Sequence, residues 1–182
     1  MAIAELKLVC PPCAKIHPIP RDRRSRLRNE AAQRDYDEVC DCYGSGTFEN
    51  SQTHNFGLFC EAGISSHLGF SAGCFESQTE ILPNGFPLQL ESHPGLPGVT
   101  LDDLIQLISC EAREMVFHVA TADRTGIVLL DGEAYPTEIE FFPMLFSEFL
   151  SEYFSGRLEV SSWAEYSKDY VFWNDLSQRP RW

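Results

Sequence analysis

Apolar and polar positions change period several times along the first half of the chain, and each change predicts an element. Ile3, Leu6 and Val9 are interleaved with Glu5 and Lys7, which predicts a short strand or extended arm over 3–9. Cys10-Pro11-Pro12-Cys13 and His17-Pro18-Ile19-Pro20 then forbid regular structure, because proline has no N–H to donate and restricts the residue before it. Asp22 can cap a helix running to about Arg34, with Leu27 and Ala31 on one side and its arginines in solvent. From Asp35 to Tyr43 a second short helix is predicted, since Tyr36, Val39, Cys40 and Tyr43 fall at i, i+3, i+4 and i+7. Gly44-Ser45-Gly46 stops it, with Gly44 placed to take the left-handed conformation that ends helices.

Beyond the glycines, one or two strands are predicted around Phe48 and Phe56 to Phe59. Glu61 to Gly98 has no sustained period and is rich in Gly, Ser and Pro. Short strands at Thr79 to Leu82 and Phe86 to Leu90 fit there, joined through Pro83-Asn84-Gly85. Thr100 suits an N-cap with Asp102 and Asp103 in the first turn, and Leu101, Leu104, Ile105 and Ile108 form a helical stripe to about Cys110. Met115 to Ala120 and Gly126 to Asp131 read as strands joined by the turn Asp123-Arg124-Thr125-Gly126. Asp131-Gly132 turns the chain again, into Ala134-Tyr135. Pro143 opens a helix with Phe146, Phe149, Leu150, Tyr153 and Phe154 on one face, closed by Gly156. The aromatic tail from Trp163 to Trp182 is expected to pack back on the body. No repeat and no linker interrupts this order, so residues 1–182 read as one domain.

Composition agrees with a packed domain: 43% of the 182 residues are apolar and 12% aromatic, well outside the disordered range. No apolar run approaches the roughly 20 residues that cross a bilayer. Glu5 and Lys7 fall inside what would have to be the apolar core of an export signal, so a cytosolic, cytoplasmic protein is expected. Seven cysteines without an export signal predict reduced thiols, several buried as small apolar groups. Charge changes the picture more. The net value is −13, yet six arginines lie between Arg21 and Arg34. From Asp35 to Gln178 there are 24 acidic residues against four basic ones, a net of −20. Such a body repels nucleic acid and anionic membranes and speeds association with a basic partner.

Few residue constellations suggest catalysis. Cys10-x-x-Cys13 with Cys40-x-Cys42 is a candidate zinc or thiol centre, and His17 could replace a ligand. Two helical positions, however, place Cys40 and Cys42 about 200° apart. Nucleophilic catalysis needs a Cys or Ser beside a His, but His17, His54, His67, His93 and His118 lie in separate segments. Gly69-Phe70-Ser71-Ala72-Gly73 fills the outer positions of a nucleophile elbow without a preceding parallel strand, and reads as a loop. His118 alternates within an apolar strand, the pattern of a satisfied core or face histidine rather than a ligand. Gly44-Ser45-Gly46 leads into Thr47-Phe48-Glu49, which supplies no lysine and opens no helix, so it is no phosphate loop. No cofactor is expected.

Two blocks of the chain resemble the SUKH superfamily, whose bacterial members are mostly immunity proteins against toxins. The first runs Asp35-Tyr36-Asp37-Glu38-Val39-Cys40-Asp41-Cys42-Tyr43-Gly44-Ser45-Gly46-Thr47-Phe48, preceded by Leu8-Val9-Cys10-Pro11-Pro12. The second is Gly126-Ile127-Val128-Leu129-Leu130-Asp131-Gly132-Glu133-Ala134-Tyr135, followed by Phe146-Ser147-Glu148-Phe149-Leu150. The resemblance implies an α+β fold with a twisted, mainly antiparallel sheet and helices packed against it. Tyr36, Tyr43, Gly44, Ser45 and Gly46 are then structural motif residues. It also implies a non-enzymatic protein that binds and neutralises a toxin domain, such as a basic nuclease. Glu49, Glu133, Glu138 and Glu140 are the acidic candidates for the binding face. A viral or eukaryotic adaptor that binds a host signalling or defence protein is the alternative on the same scaffold. An enzyme using the cysteine groups is the alternative from another class.

Overall fold

The computed structural model describes residues 2–52, 55–58, 90, 92–110, 115–121, 124–131 and 138–173. Three helices lie among them: α1 (Ala2–Val9), α2 (Glu30–Tyr43) and α3 (Phe146–Phe154). Seven strands complete them: β1 (Thr47–Glu49), β2 (Asn55–Leu58), β3 (Leu104–Cys110), β4 (Met115–Ala120), β5 (Thr125–Asp131), β6 (Glu138–Phe142) and β7 (Val171–Trp173). The strands form one sheet in the order β6-β5-β4-β3-β2-β1-β7, with every neighbouring pair antiparallel. This is a mixed α+β architecture with helices against an antiparallel sheet. No helix among the described residues is long and apolar enough to cross a membrane.

Both faces of the sheet are covered, which explains why β4 and β5 read as continuous apolar runs rather than alternating ones. Along β5, Ile127 and Leu129 join the larger core while Val128 and Leu130 join a smaller one. The larger core holds the helices: Leu6 of α1, the Tyr36/Val39/Cys40/Tyr43 stripe of α2, and Phe146, Phe149, Leu150, Tyr153 and Phe154 of α3. On the opposite face Leu90, Leu96 and Val99 cover Leu104, Phe117, Val119, Val128 and Leu130, and Arg124 pins that cover by donating to the Gly95 carbonyl at 2.9 Å.

The helix predicted from Pro143 starts at Phe146, and the tail packs as expected as far as it is described. Trp163 and Tyr170 are buried against Tyr153 (centroids 4.9 and 5.8 Å), and Lys168 lies 3.7 Å over the same ring. The segment then ends in β7 against β1.

Three predicted elements differ. Residues 3–9 form a helix rather than a strand, because Ile3, Leu6, Val9 and Cys10 recur on one side and pack on the core. The helix expected from Asp22 to Arg34 is a 3-10 turn (Arg21–Arg23) followed by non-helical chain. The true cap is Asn29, whose side chain accepts from Ala32 N at 3.0 Å and starts a single α2 reaching Tyr43. Beyond Thr100 the chain makes a 3-10 turn (Leu101–Asp103) and enters β3. Thr100 does engage Asp103, donating from both N and Oγ1 (3.0 and 2.9 Å), but only this one turn is capped. The strands proposed at 79–82 and 86–90, the elbow-like 69–73 and the turn at 131–135 fall largely or wholly outside the described residues.

Candidate functional site

Helix α2 organises the molecule around the Asp-Tyr…Tyr-Gly-Ser-Gly segment. Its inward stripe is buried, Tyr36 packing on Phe146 (6.2 Å) and Tyr43 on Phe48 and Phe172 (5.3 and 5.0 Å). Tyr43 also donates its hydroxyl to the Cys10 carbonyl at 2.6 Å, fixing the Pro-Pro segment, and burial pushes its phenol well above the ordinary range. Gly44 ends the helix at φ 65° and ψ −153°, a region open to glycine, though the extended ψ differs from the left-handed helical value expected. The next residue, Ser45, donates from its N to the His17 carbonyl at 2.8 Å. A Cβ on Gly44 would strike that same carbonyl, and one on Gly46 would strike the Phe172 ring. Both glycines are therefore demanded by close backbone approach.

Asp35, one residue before Tyr36, is buried. Its carboxylate accepts from Ser147 N at 2.9 Å and from the Ser147 hydroxyl, at the N-terminus of α3. Helix α3 has no side-chain cap of its own, so a carboxylate from α2 serves the exposed donors of its first turn.

The outward face of α2 meets the arginine segment. Arg24 is only 8% exposed, not solvated as its neighbours suggested. Its guanidinium donates twice to the Ile19 carbonyl (3.1 and 3.0 Å), to the Asp37 carbonyl and carboxylate (3.2 and 3.1 Å), and to Asp41. Gln33 braces the same segment, accepting from Leu27 N at 2.7 Å and donating to Ser25 O at 3.3 Å. Between the braced segment and the helix lies a groove of about 400 Å³ lined by Arg21, Leu27, Glu30, Gln33, Arg34, Asp37, Glu38 and Asp41. Arg28 turns elsewhere, to Asp103 at 3.1 Å. Of the six arginines, Arg24 and Arg28 are thus paired with carboxylates.

Of the four acidic residues expected to form a binding face, the side chains of two, Glu49 and Glu140, are described, and both are engaged within the chain. Glu49 is 1% exposed, on β1, where it accepts from Trp173 Nε1 at 2.8 Å; enclosed, it presents no charge to a partner. Glu140, on β6, accepts from Ser161 N (2.9 and 3.0 Å) and Ser162 N (3.4 Å), capping the 3-10 turn Ser161–Trp163. Glu138 opens β6, its side chain outside the described set, and Glu133 lies outside the described residues altogether. Sequence reasoning passed over the α2 groove because alternating-sign charges at helical spacing look like any solvated face; the buried Arg24 is what distinguishes it.

Cys10 and Cys40 are buried, and burial pushes both thiols up to about 12, so they stand as neutral thiols rather than thiolates. Cys13 and Cys42 are half-buried, and Cys13 donates its thiol to Phe172 O at 3.0 Å. Among the described residues no three of His, Cys, Asp and Glu approach closely enough to hold a metal ion. His118, 1% exposed, shares a 2.9 Å hydrogen bond between Nε2 and Thr125 Oγ1, while Nδ1 has no partner among the described residues. Burial lowers its pKa to about 4. The chain matches no family model, no curated protein and no solved structure.

Proposed function

We propose that this is a non-enzymatic protein-binding domain of the SUKH type, acting as an immunity protein that occupies a basic toxin domain such as a nuclease. The observation that carries the reading is the junction between the two blocks on which the resemblance rests. Asp35 of the first and Ser147 of the second are 112 residues apart in sequence and joined by two hydrogen bonds, with Tyr36 packed at a tilt beside them on Phe146. Motif residues that meet as one interlock give the two blocks a common physical reason. The excess of carboxylates supplies the attraction, since an acidic surface can enter a cleft built for phosphates.

The test is capture of partners from source cells by the purified chain, at low and then moderate salt, followed by assay of any nuclease recovered. Recovery of a basic toxin domain that the chain inhibits, released as salt rises, is the expected result. A host regulatory protein recovered in its place would convert the reading to an adaptor on the same scaffold. If nothing binds, the protein-binding reading fails.

A further inference from the structure

Sheet edges expose backbone donors and acceptors unless something covers them, and this sheet ends in β6 on one side and β7 on the other. Strand alternation decides which groups face outward. In an antiparallel ladder the N–H and C=O of one residue point the same way, and those of the next residue point the opposite way. At β7 the Trp173 carbonyl lies against β1, 2.5 Å from where a Cβ on Gly46 would stand, so the Phe172 carbonyl faces outward. The chain covers that carbonyl itself: Cys13, from the Pro-Pro arm, donates its thiol to it at 3.0 Å. At β6 the Phe142 carbonyl lies against β5, 2.6 Å from where a Cβ on Gly126 would stand. The N–H and C=O groups of Ile139 and Phe141 therefore face the outer side, and among the described residues no backbone hydrogen bond reaches them there. Glu138–Phe142 also contains neither the proline nor the lysine that commonly guards an edge strand.

We propose that the outer edge of β6 is the docking site for an extended segment of a basic partner protein, which joins the sheet as one more antiparallel strand. The inference rests on the protein-binding reading and gives it a location. Backbone groups supply the affinity, since the residues of the added strand opposite Ile139 and Phe141 each exchange two hydrogen bonds with them. Side chains supply the selection. Ile139 and Phe141 pack beside the smaller core, so the residues opposite them meet apolar surface and are themselves apolar. Glu140 lies on the helix-covered face, in register with Leu129 of the larger core, and the residue opposite it meets a carboxylate. The Ser161 and Ser162 N–H groups hold that carboxylate in place without bringing a cation to it, and among the described residues no ion pair includes it. From Thr125 to Gly156 there are six acids and no lysine or arginine. The matching strand therefore alternates basic and apolar residues. A second copy of the chain fits poorly, because two β6 strands paired antiparallel about their centres set one Glu140 against the other.

The probe is a fluorescein-labelled peptide of alternating lysine and valine with lysine at both ends, followed by fluorescence anisotropy at about 0.15 M salt, where distant charges are screened. Two N-methylated forms separate strand pairing from charge attraction. Methyl groups on the valine nitrogens remove the donors that meet Ile139 and Phe141, whereas methyl groups on the lysine nitrogens point away from β6. The expected result is a loss of at least about ten-fold from the first form and less than about three-fold from the second. Glutamate in place of lysine should cost about ten-fold. On the protein side, Ile139→Pro removes one outward N–H at a position where an edge strand tolerates proline, and should weaken binding about five- to ten-fold. Its thermal midpoint checks the fold, and the methylated pair measured on the wild type decides the matter if this variant does not fold. Equal losses from the two methylated forms, no loss with glutamate, or absence of binding by the wild type would each overturn the proposal. So would a concentration-dependent dimer that Ile139→Pro dissolves, which would assign the edge to a second copy. If a protein partner is captured from cells and Ile139→Pro holds it as tightly as the wild type, the edge fails and the protein-binding reading stands. Peptide binding with the expected methylation pattern, but without any cellular protein partner, would keep the edge as a strand acceptor and remove the reading behind it.

Discussion

A single buried histidine gives the clearest solution test at the scale of one residue. His118 sits neutral between β3 and β5, with Nδ1 unpartnered, and its pKa is lowered to about 4 by burial. The unfolded chain takes up the proton near the ordinary value of 6.5 and the folded chain only near 4, so the unfolded state binds more protons between these values. Stability is therefore full above about pH 6.5 and falls as pH drops toward 4, by up to about 1.4 kcal/mol per pH unit from this group. Urea midpoints at pH 7.0, 5.5 and 4.5 measure it. The slope between 7.0 and 5.5 should shrink in His118→Gln, and an unchanged slope would show that His118 is not its source. Alternation in the sequence left this histidine in the core or on a face, with its polar atoms satisfied; its burial and the unpartnered Nδ1 were not readable, because they depend on what β3 and β5 place beside it.

Gly46 gives a second test at this scale. The Phe172 ring and the Trp173 carbonyl (2.5 Å) occupy the space of a side chain. Gly46→Ala should cost about 3 kcal/mol, read as a lower denaturant midpoint at an unchanged slope. The sequence marked the Gly-Ser-Gly turn as a helix stop. It could not show that β7 arrives from more than 120 residues away to crowd it.

At the scale of elements, legibility depended on whether a period had one physical meaning. The α2 and α3 stripes were read correctly because helical spacing coincided with a true apolar face. Ile105 and Ile108 have the same spacing but belong to β3. There the ladder shifts between Gln106 and Ile108, so positions 105 and 108 come opposite His118 and Val116, two apart on β4. A bulge had mimicked a helix. Helix α1 was missed for the converse reason: intervening Glu5 and Lys7 made a three-residue spacing look like alternation. Element-scale energetics centre on Asp35, whose carboxylate serves the start of α3 across the helix interface. Asp35→Ala removes the acceptor from two buried donors and should destabilise the fold by about 2–3 kcal/mol, with Asp35→Asn losing less. Chemical denaturation monitored by tryptophan emission measures both; equal loss in the two variants would show that the cap contributes no charge-specific term.

For the whole molecule, the fold class was legible, and the engagement of individual carboxylates within the chain was not. The acidic excess is visible by counting, but no count reveals that Glu49 is enclosed beside Trp173 or that Glu140 is engaged in capping. Charges facing a partner and charges holding the chain together look alike in one dimension. Long-range attraction, by contrast, belongs to the sum. Association with a basic partner should slow as salt rises from about 0.05 to 0.3 M, while dissociation changes far less, and stopped-flow mixing separates the two rates.

The position of β7 has a consequence for synthesis. β1 lies early in the chain, yet one of its two neighbours in the sheet is Val171–Trp173. On the ribosome, that flank of β1 stays without its partner until residues 171–173 have been made. Throughout translation the nascent polypeptide carries an open strand edge and the uncovered rings of Tyr43 and Phe48, which Phe172 later meets. The time that separates the synthesis of β1 from that of β7 is thus the interval in which this protein most needs protection from its neighbours.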